Sequence, residues 1–225
     1  NSSGGLQLTD RTINNAKFTI DRDFGFQLHQ LNEFPNKFSY NFKTAVSTGE
    51  GRNITEKADD GVAVTGKVEL FPFGAFSKDG TYFEGDIVRE AKPKLMLSGA
   101  FQQNNHARRT QGQLGDNLFE KRTLKSVLLD AMFKYKGWAA MSSFMSRTSN
   151  QYAVTVNPDD ITQTNYAYVG NGFDYQLSYN FRSNYEVIGR YSVQHAGADI
   201  HALTPDTKQY SLGVTKYIWE HTFKL

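Results

Sequence analysis

The sequence predicts an all-β protein, a transmembrane antiparallel up-and-down β-barrel. Three observations carry that prediction. Apolar residues recur at every second position over segments close to the ~9–11 residues of a tilted membrane-spanning strand, against ~5–6 for a globular one. Tight turns alternate with long polar stretches as the connections. Aromatic residues gather beside the tight turns, where the lipid–water boundary would fall. Of the 225 residues, 39% are hydrophobic and none is Cys, and the formal net charge is +2. Zero Cys excludes a disulfide framework and any thiolate zinc site. The near-balanced charge argues against a nucleic-acid partner. Without a run of ~18 apolar residues the chain has no transmembrane helix, but hydropathy windows of that size miss barrels.

The chain reads as one domain over 1–225. Asn1 to Ala16 does not alternate and forms a loop or short helix entering the barrel; 17–225 supplies strands, short periplasmic turns and long outer loops. Phe24, Phe26 and Leu28 open the series. Arg22 interrupts the row from Phe18 and is expected at a mouth or a bulge, because charge at the lipid midplane costs about 2–4 kcal/mol. Phe38, Tyr40, Phe42, Thr44 and Val46 form the next row, then Val62, Val64 and Val68, then Leu95, Leu97 and Phe101. Val127, Leu129, Phe133 and Tyr135 follow, then the weaker Trp138, Ala140 and Phe144. Phe173 to Phe181, Tyr185 to Val193, and Tyr210 to Val214 complete the series, and Thr222 to Leu225 begins another.

Lys136-Gly137, Arg182-Ser183-Asn184 and Glu220-His221 read as tight turns; Gly49–Gly61, Gln103–Thr123, Thr148–Gly172 and His195–Thr207 read as long outer loops. Gly74–Lys92 falls where a short turn is due and is expected to make an ordered periplasmic excursion. Tyr135, Trp138, Tyr179, Phe181, Tyr185, Tyr217 and Trp219 flank the turns as lipid-interface aromatics. If the apolar rows face lipid, the opposite rows line the lumen. The pore-lining candidates are then Lys43, Lys67, Glu69, Lys94, Asp130, Lys134, Arg147, Asp174, Glu186 and Arg190. Glu69 beside Lys67, and Glu186 four positions from Arg190, are placed to neutralise each other.

Leu6–Ala16, Asp21–His29, Phe83–Asp86, Arg89-Glu90, Lys92–Leu95, Arg108–Gly115, Asp130–Gly137, Val169–Phe173 and Tyr210–Tyr217 follow one another in a distinctive order and spacing. In these stretches the chain resembles the phosphate-selective porin O and P family of Gram-negative outer membranes. The resemblance implies a sixteen-stranded porin, usually trimeric, in the outer membrane, with an anion pathway. Roughly nine or ten strands fit in this chain, so strands are expected before Asn1 and after Leu225. The family's dense basic ladder has no residue-by-residue match here, and general small-solute permeation stands beside phosphate selectivity.

No cofactor or metal is expected. His195, Asp199 and His201 share one loop and could ligate a metal, but a polar loop explains them as well. No HExxH, EF-hand, Walker or GxSxG motif is present, and no His falls mid-strand on the polar row, so no enzyme is expected. Arg108-Arg109 with Lys121-Arg122 makes one loop basic, suited to lipopolysaccharide or anionic solutes. A passive channel, a non-transporting barrel within a larger outer-membrane complex, and a soluble β-sandwich all share the alternation.

Overall fold

The computed structural model describes residues 5–52, 60–220 and 222–225. Among them, helix α1 (Ile13–Phe18) precedes β1 (Gly25–Asn32), β2 (Ser39–Ser47) and β3 (Val62–Phe71). A short 3-10 segment, Ser77–Tyr82, leads to β4 (Lys94–Arg109), β5 (Asn117–Tyr135) and β6 (Trp138–Ser149). β7 (Val154–Val156) and β8 (Thr164–Tyr166) form a small hairpin of their own. β9 (Gly170–Asn180), β10 (Tyr185–Ala196), β11 (Thr207–Trp219) and β12 (Phe223–Lys224) follow. All strands except β7 and β8 join in one ten-stranded sheet, in chain order and antiparallel throughout.

The expected closed barrel is corrected to an open sheet. Among the described residues β1 pairs with β2 alone, and β11 meets β12 only over Tyr217–Trp219. The described strands number twelve, not sixteen. Period-two alternation fixes which face each side chain takes, but it carries no information on whether the outermost strands meet.

The expected loop Gln103–Thr123 is also corrected, because most of it is strand. β4 runs 16 residues and β5 runs 19, well past the apolar rows. Backbone pairing continues through Gln, Asn and Arg because ladder hydrogen bonds need no apolar side chain. Thr148–Gly172 holds the β7–β8 hairpin. At the other end the turns are tight: Lys136 and Gly137 both take positive φ, 49° and 95°, the signature of a type I′ hairpin. Part of Gly49–Gly61, and His221 of the last expected turn, lie outside the described residues.

The two faces of the sheet invert the usual arrangement. The bare face is apolar: Phe26 and Leu212 are each 89% exposed, and Val64, Phe101, Leu129, Tyr175 and Val187 are exposed with them. The other face is polar and covered, with Glu69, Asn104, Lys134, Asp174, Glu186 and Arg190 among its buried residues. Two segments cover it, and both come from outside the strands.

The first is a strap, residues 5–24, which includes α1. The expected loop or short helix ending at Ala16 is therefore a helix that runs to Phe18, with irregular chain on either side. Arg22 belongs to this non-strand stretch rather than to the row that begins at Phe24. Thr12 caps α1: its side chain accepts from the Asn15 amide. Two strand glycines seat the strap. A Cβ at Gly172 would collide with Asn14 Oδ1, and one at Gly213 would lie 2.7 Å from Leu8 Cδ2. The second segment is a floor, residues 74–93, which folds back over the turn end of the sheet.

Candidate binding cleft on the covered face

Strand register arranges the covered face in rows. From the turn end, one row reads Lys94, Lys134, Ala139, Ser178, Ile188, Gly213. The next reads Met96, Met132, Met141, Gln176, Arg190, Ser211. The third runs Asn41, Glu69, Ser98, Asp130, Ser143, Asp174, Ser192, Gln209, so that carboxylates and hydroxyls alternate across its middle. Lys43 and Lys67 follow His29 in the fourth. Neighbouring positions in a row have Cβ atoms ~5 Å apart, within reach of one another.

Between these rows, the strap and the floor lies a cleft of about 390 Å³. Six of the ten pore-lining candidates line it: Lys43, Lys67, Glu69, Asp130, Asp174 and Arg190. Glu69 is held from both sides, by Lys67 Nζ at 2.8 Å and Lys43 Nζ at 3.1 Å, as its spacing from Lys67 suggests. Asp130 accepts from Ser143 Oγ at 2.7 Å and Ser98 Oγ at 3.1 Å. Asp174 accepts from Thr12 Oγ1 at 2.8 Å and Asn14 Nδ2 at 2.9 Å, both from the strap.

The other four candidates do not line the cleft: the strap or floor engages Lys134, Arg147 and Glu186, and the links after β1 and β3 engage Lys94. Lys134 is 2% exposed, and its Nζ donates to the carbonyls of Phe83 (2.7 Å), Gly80 (2.8 Å) and Gly85 (2.9 Å). Lys94 Nζ donates to the carbonyls of Pro35 and Phe73. Arg147 donates to the carbonyls of Lys17 and Phe18, at the end of α1. Glu186 is wholly buried and accepts from Gln7 Nε2 at 2.5 Å, Ser178 Oγ at 3.0 Å and the Tyr217 hydroxyl at 2.5 Å. The expected Glu186–Arg190 neutralisation is thus replaced. Arg190 turns to the strap, with Nη1 3.0 Å from the Asp10 carbonyl. A cation surrounded by carbonyl oxygens anchors backbone rather than lining water.

Tyr217 is corrected in the same way. It is 2% exposed and sits on the covered face, because parity from Tyr210, Leu212 and Val214 sends position 217 inward. The other interface aromatics stand at the turn end. Trp138 packs on Tyr179, and Tyr179 on Phe181, each pair with centroids 4.8 Å apart. Lys216 Nζ lies 4.1 Å from the Tyr185 ring centroid, and Lys136 Nζ lies 4.9 Å from that of Tyr135. Trp219 is exposed.

Sequence reasoning missed Gln7, which ties all three layers together. Its amide N–H donates to Glu84 of the floor at 2.9 Å, and its side chain donates to Ser178 and Glu186 and accepts from Gln176. It lies in a segment without periodicity, so alternation gave it no weight. Asp23 was missed for the same reason. Its carboxylate accepts from Thr48 Oγ1 (2.7 Å) and the Gly49 (2.6 Å) and Gly51 (3.2 Å) amides, pinning the link after β2. Burial pushes its pKa up, but the hydrogen bonds from Thr48, Ser47, Gly49 and Phe24 outweigh burial and hold it below the ordinary value.

At the opposite end from the turns, His195 and His201 approach Asp206 rather than Asp199, with His201 Nε2 lying 3.8 Å from Asp206. His195 Nδ1 pairs with Asp206 at 2.7 Å, and Asp199 accepts from the Ala153 amide. Among the described residues no group of three His, Cys, Asp or Glu is placed to hold a metal ion. The basic loop is partly offset: Asp60 pairs with Lys121 and His106, and Glu120 with Arg122. Set against known proteins, the chain matches no family model, no curated protein and no solved structure.

Proposed function

We propose that this chain forms the wall of an outer-membrane porin of a Gram-negative bacterium, a water-filled path for passive diffusion of small hydrophilic solutes. One observation carries the reading: the sheet leaves its apolar face bare and covers its polar face. Water rewards the opposite arrangement, whereas lipid rewards this one. The ten-stranded meander, its strand lengths and the aromatics at one end support it. The two unpaired sheet edges would need partner strands in hydrocarbon, where no water satisfies the backbone, and a closed barrel supplies them. The resemblance to porins O and P adds the expected homotrimer, the lipopolysaccharide contact and the anion pathway. The mixed charges along the cleft favour general small-solute permeation over phosphate selectivity.

A non-transporting barrel within a larger outer-membrane complex is the second reading. It is favoured by the strap and floor, which tie down Lys134, Arg147 and Glu186. Planar-bilayer recordings of the full-length protein separate the two readings. Discrete conductance steps are expected, larger after Arg147→Met loosens the strap. A protein that inserts in membranes but never conducts, and that co-purifies with stable partners, sinks the channel and leaves the scaffold.

A further inference from the structure

We propose that the cleft is a binding site for a short zwitterionic peptide with an apolar side chain, two or three residues long. The inference rests on reading the covered face as the wet side of the sheet, and it adds the solute class.

The first support is an apolar wall on an otherwise polar face. Met96, Met132 and Met141 occupy adjacent positions of one row, and Met145 stands two rows further along β6, beyond Asp130 and Ser143. These are all four methionines of the chain, and all four line the cleft. Met96 and Met132 also pack on Phe71 and Phe76. Thioether side chains are flexible and polarisable, and they accommodate apolar groups of varied shape. A path that only conducted water and ions would have no use for them.

The second support is a carboxylate without a cation. Unlike Glu69, Asp130 receives only two serine hydroxyls, and among the described residues no ion pair reaches it. Its environment lacks the positive charge that an ammonium group would bring. The third support, at the other side of the cleft, is Arg190. It is 7% exposed, yet its Nε has no hydrogen-bond partner. A buried N–H of this kind calls for an acceptor, and a carboxylate suits a guanidinium best.

Spacing sets the length of the ligand. Asp130 on β5 and Arg190 on β10 are separated by β6 and β9, which at ~4.8 Å per strand gives about 14 Å between backbones. After both side chains reach inward, a free α-amino acid is too short to touch the two. A peptide gains ~3.3–3.6 Å per residue, so two or three residues span the gap. Its ammonium would meet Asp130, its carboxylate Arg190, and its side chain the methionines.

The test uses the full chain in detergent micelles, labelled with ¹³C at the methionine methyls, and the tripeptide alanyl-leucyl-alanine. Saturable shifts of the Met96, Met132 and Met141 signals are expected. N-acetylation or C-amidation of the peptide should each weaken binding about tenfold, the loss of one charged contact. Asp130→Asn should weaken the free peptide equally and leave the acetylated one unchanged. Should that variant misfold, the capped peptides on the unaltered protein decide alone. Equal affinities for free and capped peptides, or no saturable shift, overturn the site. Conductance is recorded separately: a conducting protein that ignores the tripeptide overturns this inference alone, whereas binding without conductance upholds the site and fails the channel.

Discussion

The two faces of this sheet are built from the same strands, yet they are stabilised by opposite means. The bare face holds Leu, Val, Phe and Tyr side chains that touch little but one another. The covered face holds charges and amides, many of them engaged by the backbone of the strap and floor. The apolar face therefore depends on its surroundings, while the polar face depends on the chain itself. Substitutions on the first should be felt only in a lipid environment. Substitutions on the second should be felt everywhere.

The largest expected effect tests the first half of that statement. Leu129→Arg puts a charge in the middle of the bare face. In lipid vesicles it should destabilise the protein by about 2–4 kcal/mol in urea titrations. If the exposed face met water, the same change would stay within about 0.5 kcal/mol, so a negligible effect in vesicles breaks the comparison.

On the covered face, Arg147→Met leaves the Lys17 and Phe18 carbonyls without their donor. A loss of about 1–3 kcal/mol is expected, in micelles as in vesicles. Gly172→Val sharpens the point. The added side chain meets Asn14, which Asp174 and Val193 already hold, so the strap should leave its seat. Trypsin cleavage after Arg11 and Lys17 should then rise roughly tenfold, with the sheet's circular dichroism unchanged.

Asp23→Asn, at the end of the strap, should cost about 1–2 kcal/mol. It should also remove a pH dependence. Because Asp23 is held below its ordinary value, its stabilisation is complete above the unfolded value of about 3.9 and is lost as pH falls through the lower folded value. Between pH 5 and 7 the unaltered protein should show no change from this group. Below about pH 4 the unaltered protein should lose this margin, and its stability should converge on that of the variant. The smallest effect belongs to Arg52→Ala. The Arg52–Asp21 pair, 3.1 Å apart, is half exposed on the arginine side, and such pairs contribute about 0–1 kcal/mol.

Much of the bare face was legible because alternation is a local property. The row from Phe38 to Val46 and the row from Phe173 to Phe181 each needed only their own residues. Parity alone placed Asp130, Asp174 and Glu69 opposite those rows. It also placed Tyr217, whose nearness to a turn suggested an interface role that its position in the row excluded. The covering segments were not legible. Gln7 and Asn14 lie in a stretch with no period, and their partners are far along the chain. Gly74–Lys92 was recognisable as too long for a turn, but nothing local says that it folds inward under Lys134. Basic residues on the wet row looked like open lining because a carbonyl from a distant segment leaves no mark on the residues it meets.

The strap has a consequence for how the molecule is assembled. Its hydrogen bonds join residues far apart in sequence: Asn14 to Asp174 across 160 positions, Gln7 to Ser178 across 171, Thr215 to Gln7 across 208. Hairpins such as β5–β6 close over two residues and form early, whereas contacts at such separations must wait for both partners to be in place. The strap precedes every described strand, yet it docks after the strands that hold it. Until then the protein has a vacant seat shaped for its own strap, and refolding should end in a slow step that a synthetic peptide of residues 5–24, added in trans, competes with and retards.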